Sequence, residues 1–451
     1  MTKTKNIWIR LISTLWFLPA LFVVTGILSG ILLTGFDYFF GSPFRYLPYL
    51  FGVQPSGARD ILAVIAGSAI TVAGTVFSIT IVALTLASTQ FSPRVLRNFM
   101  RDTGNQSVLG TLVGIFAYCI VVLRTIRDGS HTGETDFVPS TAIFFGVILA
   151  LIGIGCLIYF IHHVATSIQA TQIISLIAQE TVREIRDSFP TDAPENEIDG
   201  QTKDFLNKTP CLSVKAGKTG YVQNADKASL IRLADQNDLI LKMQRRIGQF
   251  TIEGLPILQV FPADPDFELD EELSERFRET YDVSSFRTVG GDVAFGLRQI
   301  VDIALKALSP AINDATTAVT CVDYLTAIMV CLAKRPSCTC NYFAGGKLRL
   351  IVEEQRFEDF FDLAFNQIRQ NAGANVAVIL RQLNGVNILS LINVGLPFEE
   401  ERRERHELMQ TQARLLFELA EQTVKADADL ETVSRYYQRI EKSLTERESK
   451  I

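Results

Sequence analysis

"DILAVIAGSAITVAGTVFSITIVALTLASTQFSPR", residues 60–94, decides the fold of this chain. No charged side chain occurs from residue 61 to residue 93. A helix needs roughly 20 mostly apolar residues to cross a bilayer core of about 30 Å. A charge at the centre of such a helix costs at least about 2.5–3.5 kcal/mol on insertion scales. The stretch therefore predicts a membrane-spanning helix. Within it, Ser68, Thr71, Thr75, Ser78, Val82, Thr85 and Thr89 recur at alternating spacings of 3 and 4. Such spacing lines them up along one helical face. The result is a hydroxyl seam with one aliphatic break, flanked by Gly67 and Gly74.

Three further charge-free runs, residues 11–36, 103–123 and 137–161, carry the same reading. The expected spans are about residues 14–36, 61–88, 107–127 and 140–163, and no run of comparable apolar character follows. The N-terminus has Lys3, Lys5 and Arg10 before an apolar run, as a signal peptide would. That run is too long for a cleaved leader, so a retained signal anchor is expected.

Charge divides at the same boundary. Residues 1–163 hold 10 Lys/Arg and 6 Asp/Glu, a balance of +4, and residues 164–451 hold 33 and 43, a balance of −10. An acidic soluble part argues against nucleic acid as a partner and against that part lying flat on anionic lipid. Lys/Arg in the short loops set orientation. Six lie before the first span and between the second and third, and four lie in the two opposite loops. The bias favours both termini, and the large C-terminal part, in the cytoplasm. Cys211, Cys321, Cys331, Cys338 and Cys340 would then be reduced thiols. Cys331, Cys338 and Cys340 cluster, but no His or fourth Cys completes a tetrahedral metal set.

The expected architecture is four transmembrane helices (1–163), a helical stalk continuing the fourth (164–189) and a linker (190–210). A small β-rich module follows (211–265), then an α-rich cytosolic domain (266–398) and a charged helical tail (399–451). The module rests on alternating runs such as "TGYVQ" and "PILQVF", with one short helix near 226–235. The α-rich part includes one strand at "KLRLIV", 347–352. In the tail, Leu430, Val433, Tyr437, Ile440 and Leu444 form a stripe for helix packing, too short for a coiled coil.

Each candidate site has a plain alternative. The seam Ser68, Thr71, Thr75, Ser78, Thr85 and Thr89 can pack helices through small residues, or line a polar path. One helix cannot enclose a pore, so a lining requires a homo-oligomer. Arg94, Arg97 and Arg101 share one face of "QFSPRVLRNFMRD" (90–102). They are either a positive-inside anchor or a ring of charge at a pore mouth. His162 and His163 close the fourth span as an interfacial pair or a pH-sensitive hinge. "AGKTG" (216–220) is not a phosphate loop, because Leu212 stands where the first glycine must be. In residues 295–325, Asn313 or Asp314 can cap the second helix of a helix–turn–helix unit. Arg298, Asp302, Asn313 and Asp314 form a candidate cytosolic contact site if they converge. Nothing resembles a Ser/His/Asp or Cys/His constellation. No catalytic role, cofactor or metal is expected.

These segments give the chain a resemblance to a bacterial membrane family catalogued as domain of unknown function 2254. "QFSPRVLRNFMRD" (90–102), "FIHHVATSIQ" (160–169), "GYV" (220–222) and "FGLRQIVDIALKALSPAIND" (295–314) carry it, over roughly residues 10–430. Two departures are Ala315, where the family pattern has Pro, and "GGDV" (290–293), where it has a Gln-Asp-Pro-like run. The resemblance implies an inner-membrane protein with four N-terminal spans, and brings no functional residues with it. The leading expectation is a homo-oligomeric ion channel or permeation protein with a cytosolic regulatory domain. A membrane-anchored regulatory or scaffolding protein is the alternative, and a membrane enzyme the weakest.

Overall fold

The computed structural model describes residues 16–41, 54–91, 94, 102–127, 137–189, 205–206, 211–336, 339–397 and 399–448. The chain divides into two compact units, residues 1–172 and 173–451.

Among the described residues, the first unit holds four long helices, α1 (Phe17–Phe40), α2 (Pro55–Gln90), α3 (Thr103–Thr125) and α4 (Ser140–Ser167). Each overlaps an expected span, and all but α3 run on past it at the C-terminal end. The central helix is α3. Half of its most apolar window is buried, against 11% for α1 and 22% for α2 and α4. Leu32, Val64, Phe77, Leu151 and Ile158 point outward instead, as lipid-facing side chains do.

Small residues set the approach of α1 to α3. A Cβ on Gly26 would lie 2.3 Å from the Gly114 carbonyl oxygen, and one on Gly114 would lie 2.9 Å from that of Phe22. A Cβ on Gly110 would meet the Phe22 ring at 2.9 Å, and one on Gly30 would meet Val121 at 3.1 Å. Gly26/Gly30 and Gly110/Gly114 are thus paired small-xxx-small motifs, which let two apolar helices pack backbone to backbone. On α2 the packed stripe is alanine-rich, with Ala58, Leu62, Ala66, Ala69, Ala73, Val76, Ala83 and Ala87 buried.

Two polar contacts close the unit across long stretches of sequence. Asp37, in the last turn of α1, accepts from the Thr141 and Ala142 backbone N–H groups at 3.0 and 3.1 Å. It thereby caps α4 from another helix. Tyr118, fully buried on α3, donates to the Ala142 carbonyl at 2.6 Å.

The second unit begins with α5 (Ala170–Ser188). The continuous stalk expected over 164–189 does not form, because the helix breaks at Ile168 and Gln169. Thr166 Oγ1 donates to the His162 and His163 carbonyls just before the break. Beyond it α5 is amphipathic, and Ile173, Ile174, Ile177, Thr181 and Ile185 are buried. A Cβ on Gly296 would lie 2.1 Å from Thr181 Oγ1. So α5 is a core helix of this unit rather than a free rod. Of the linker expected at 190–210, all but residues 205–206 lie outside the described residues.

The β-structure overruns its expected boundary at 265. The strands β1 (Leu212–Lys215), β2 (Gly220–Ala225), β3 (Leu239–Met243), β4 (Phe250–Thr251) and β5 (Pro256–Pro262) enclose one short helix, α6 (Lys227–Gln236). After α7 (Glu271–Arg278), β6 (Tyr281–Ser284) returns to pair antiparallel with β2. Farther on, β7 (Thr339–Ala344) and β8 (Lys347–Glu353) join the first sheet, with β8 parallel to β3. The two sheets run β1-β5-β3-β8-β7 and β4-β2-β6. They share one core built on Val222, Leu230, Leu241, Leu258, Val260, Phe277 and Leu350. The β-rich and α-rich parts are therefore interleaved: α8 (Val293–Ala307) and α9 (Ala315–Ala333) lie between β6 and β7 in the chain.

The chain ends in α10 (Phe357–Ala372), α11 (Val376–Asn393), α12 (Glu399–Thr423) and α13 (Asp427–Glu448). The tail stripe is packed, with Val433, Ile440 and Leu444 buried. Tyr437 stacks on Phe417 with ring centroids 4.5 Å apart. Arg405, fully buried, donates to the Ala333 and Arg335 carbonyls at 2.8 and 3.1 Å and so caps the end of α9 from α12. Among the described residues, six helices, rather than the four expected, are long and apolar enough to cross a membrane. The additional two are α9 and α11.

Both departures from the family pattern fall at helix starts. Ala315 is the first residue of α9, after the cap Asp314. Proline suits that position, since its missing N–H would be unpaired anyway. Ala315→Pro should raise the unfolding temperature of the protein, equivalent to about 0.4–1 kcal/mol from the stiffened unfolded chain.

In "GGDV", Asp292 caps α8 through the Phe295 N–H at 3.0 Å. It is 4% exposed and takes a bidentate contact from Arg287, both bonds 2.8 Å. Burial pushes its carboxyl above the usual range, and Arg287 partly opposes this. A raised carboxyl favours the protonated form in the fold, so the contribution is fullest at low pH and declines as pH rises. Arg287→Met removes the opposition and leaves a buried carboxylate alone, at a cost of about 3 kcal/mol at pH 8. Denaturant unfolding should show that deficit shrinking toward pH 5, as Asp292 takes up a proton.

Candidate functional site

The seam on α2 lies on the open side of the first unit. Ser68, Thr71, Thr75, Ser78, Val82, Thr85 and Thr89 are all exposed, while the alanine stripe of the same helix makes the packing contacts. A Cβ on Gly67 or Gly74 would meet nothing within 4 Å. Among the described residues, the seam therefore packs against no other helix of the first unit. Its threonine hydroxyls turn inward to their own helix. Thr71 donates to the Gly67 carbonyl at 2.8 Å, Thr75 to Thr71 at 3.2 Å, Thr85 to Ile81 at 2.9 Å and Thr89 to Thr85 at 2.9 Å. Such i−4 bonds satisfy the hydroxyl hydrogen and leave oxygen lone pairs on the outward surface.

Of the three arginines expected to follow the seam, Arg94 is exposed. Arg97 and Arg101 lie outside the described residues.

The two terminal histidines of α4 differ in use. His162 is exposed, whereas His163 Nε2 lies 2.6 Å from Asp102 Oδ2. Asp102 is the N-cap of α3, accepting from the Gly104 N–H at 2.9 Å and from Asn105 Nδ2 at 3.0 Å. Tyr159 stacks on the His163 ring at 5.3 Å. Gly104 leaves room for the group, since a Cβ there would stand 2.9 Å from His163 Nε2. One carboxylate thus starts α3 and holds the end of α4, a link between residues 61 positions apart.

In the second unit, Arg298, Asn313 and Asp314 of the expected contact site each have a local role. Arg298 donates to Gln367 on α10. Asp314 caps α9, accepting from the Thr317 N–H at 3.0 Å and the Thr317 hydroxyl at 2.6 Å. Those bonds hold its carboxyl below the usual range. Asn313 sits in the left-handed region at φ 50°, which Asn tolerates better than most residues. Asp302 is half-buried on α8. The turn geometry accounts for Asn313 and Asp314 without a ligand.

A cleft the sequence did not suggest lies elsewhere in this unit. It is open, has a volume of about 580 Å³, and is lined by Glu353, Glu354, Asp359, Glu400, Glu401 and Glu404, with Arg246 and Arg356 among them. Its walls come from β3, β8 and the starts of α10 and α12, which is why no local motif announces it. At its edge Lys227 donates to Glu354 at 3.0 Å and to the Tyr342 hydroxyl at 3.2 Å. Burial would lower the Lys227 ammonium, but Glu354 and Tyr342 more than reverse it and hold it charged.

A family profile described as "Predicted membrane protein (DUF2254)" matches residues 12–387. The chain belongs to that family. An uncharacterized protein of Mycobacterium bovis and one of Mycobacterium tuberculosis are each 32% identical to it over 341 residues. The match covers 74% of this chain and 63% of each relative, so the chain spans less than two thirds of their length. No solved structure matches.

Asp102→Ala should lower stability by about 1–2 kcal/mol through loss of the α3 cap and the His163 contact. His163→Leu should give a smaller loss, measured by thermal unfolding in detergent, because it leaves the cap in place.

Proposed function

We propose that this DUF2254 protein is a homo-oligomeric permeation protein of the bacterial inner membrane, with the seam of α2 facing a watery path between copies. The seam's exposure carries the reading. Polar oxygens run along one open face of a 36-residue helix, and their outward lone pairs find donors in water or a second copy but none in lipid. Small residues on it allow close approach of a second copy.

In this reading α1–α4 cross the membrane and the second unit is a cytosolic regulatory domain, with both termini inside. The loop arginines and lysines support that orientation. Against α9 and α11 as spans stands the Arg381–Asp323 ion pair, 3.1 Å long and about half exposed, which joins these two helices part-way along both. Gln382, Ser390 and Asn393, fully buried on α11, suit a helix packed in a protein core more than one set in lipid. The acidic cleft favours a second reading, a membrane-anchored scaffold that docks a basic partner.

Flux of small ions into proteoliposomes tests the proposal under voltage, tension and pH steps. Native protein should conduct, and Thr75→Leu should change the rate at least about tenfold if the seam faces water. Absence of flux from well-folded native protein under every stimulus would transfer the case to the scaffold.

A further inference from the structure

Asp37 carries more than its capping role requires. Its carboxylate is 5% exposed, and Oδ2 holds both backbone contacts to α4 while Oδ1 has no partner. Thr34, one turn earlier on the same buried face of α1, is 7% exposed, and its hydroxyl is also without a partner. So is the buried hydroxyl oxygen of Thr141, the residue whose N–H Asp37 accepts. Among the described residues no cationic side chain pairs with Asp37. Arg59, by contrast, donates to the Ile126 carbonyl at 3.0 Å.

The electrostatics of α1 sharpen the demand. Asp37 stands in the last turn, where the helix dipole is negative and up to four backbone carbonyls lack helical partners. That turn contains no basic residue. The N-terminus of α4 answers Oδ2 only. What is left is a carboxylate oxygen, two hydroxyl oxygens and a negative helix end. Oxygen-only surroundings of net negative charge suit a hard cation, and the single carboxylate balances one positive charge. Such helix ends and hydroxyls are a recurrent means of holding a monovalent ion within a membrane protein.

We propose that Asp37 Oδ1, Thr34 Oγ1 and Thr141 Oγ1 form a binding site for a partly dehydrated monovalent cation of the size of sodium. The ion supplies the positive charge the site lacks and ties α1 to α4. The site does not depend on whether the protein conducts.

Thermal unfolding of the purified full chain in detergent tests this, with sodium chloride replacing choline chloride at constant ionic strength. Sodium should raise the unfolding temperature saturably, by more than about 3 °C when well above its dissociation constant, and potassium should act more weakly. Thr34→Val keeps the carboxylate and should weaken the apparent sodium affinity at least about tenfold. Asp37→Asn should abolish the sodium effect. Equal unfolding temperatures of the native protein in sodium and choline would overturn the site and leave a bound water as its occupant. A sodium shift unchanged in Thr34→Val would overturn it as well, marking a general salt effect. If Asp37→Asn does not fold, these two comparisons still decide.

Discussion

Backbone contact between α1 and α3 is the constraint on which the membrane unit rests. Apolar side chains gain little by leaving lipid for one another, so helix association there draws on close packing and polar contacts. Gly26 and Gly114 bring main chain against main chain, with the Gly26 Cβ position 2.3 Å from the Gly114 oxygen. Only glycine on both helices permits it. With α1 drawn in at that depth, Asp37 reaches the N-terminus of α4, and with α3 in the centre Tyr118 reaches the Ala142 carbonyl. At the other end Asp102 joins the start of α3 to the end of α4. The polar contacts are thus consequences of an apolar packing geometry, and they fix the register that glycine alone would leave free to slide.

Legibility in the sequence followed the range of the interaction. The apolar runs, the α2 seam and the strand at 347–352 depend on neighbours within a few turns, and periodicity exposes them. "GILSG" (26–30) and "GTLVG" (110–114) were equally local signals for the α1–α3 contact, and a search for paired small-xxx-small motifs would have found them. The links from Asp37 to α4 and from Asp102 to His163 join residues 105 and 61 positions apart, and no spacing rule reaches that far. Sheet membership failed for the same reason. A strand is visible by its alternation, but its partner is not, so β6, β7 and β8 could not be assigned to the sheets of 211–265. The stalk was misread because helical periodicity shows that residues are helical, not that two helices are one. The break at 168–169 contains neither Gly nor Pro.

Among the expected sites, the second-unit group has a chemistry that reads two ways. Arg298, Asp302, Asn313 and Asp314 are the residue types that bind ligands, and also those that end helices. Asp314 and Asn313 are accounted for by the turn between α8 and α9. The acidic cleft, in contrast, draws its carboxylates from the end of β8 and the residue after it, from α10 and from α12. Each is an ordinary surface glutamate or aspartate in its own segment, and only the fold brings them to one opening.

The two faces of α2 divide the demands on that helix. Alanines such as Ala66, Ala69 and Ala73 keep the inner face thin, so α2 lies close against its neighbours without bulky side chains. The outer face then carries all of the helix's remaining chemistry. Back-bonding of Thr71, Thr75, Thr85 and Thr89 answers these four hydroxyl hydrogens inside the helix, so a single chain can hold the threonines of this face toward lipid without stranding their donors. The oxygens that stay outward offer lone pairs to water or to a neighbouring copy once one is present. A seam of serine and threonine is therefore compatible with both states, lone insertion and assembly. A seam of Asn or Gln, with amide hydrogens that no i−4 carbonyl fully satisfies, would not be.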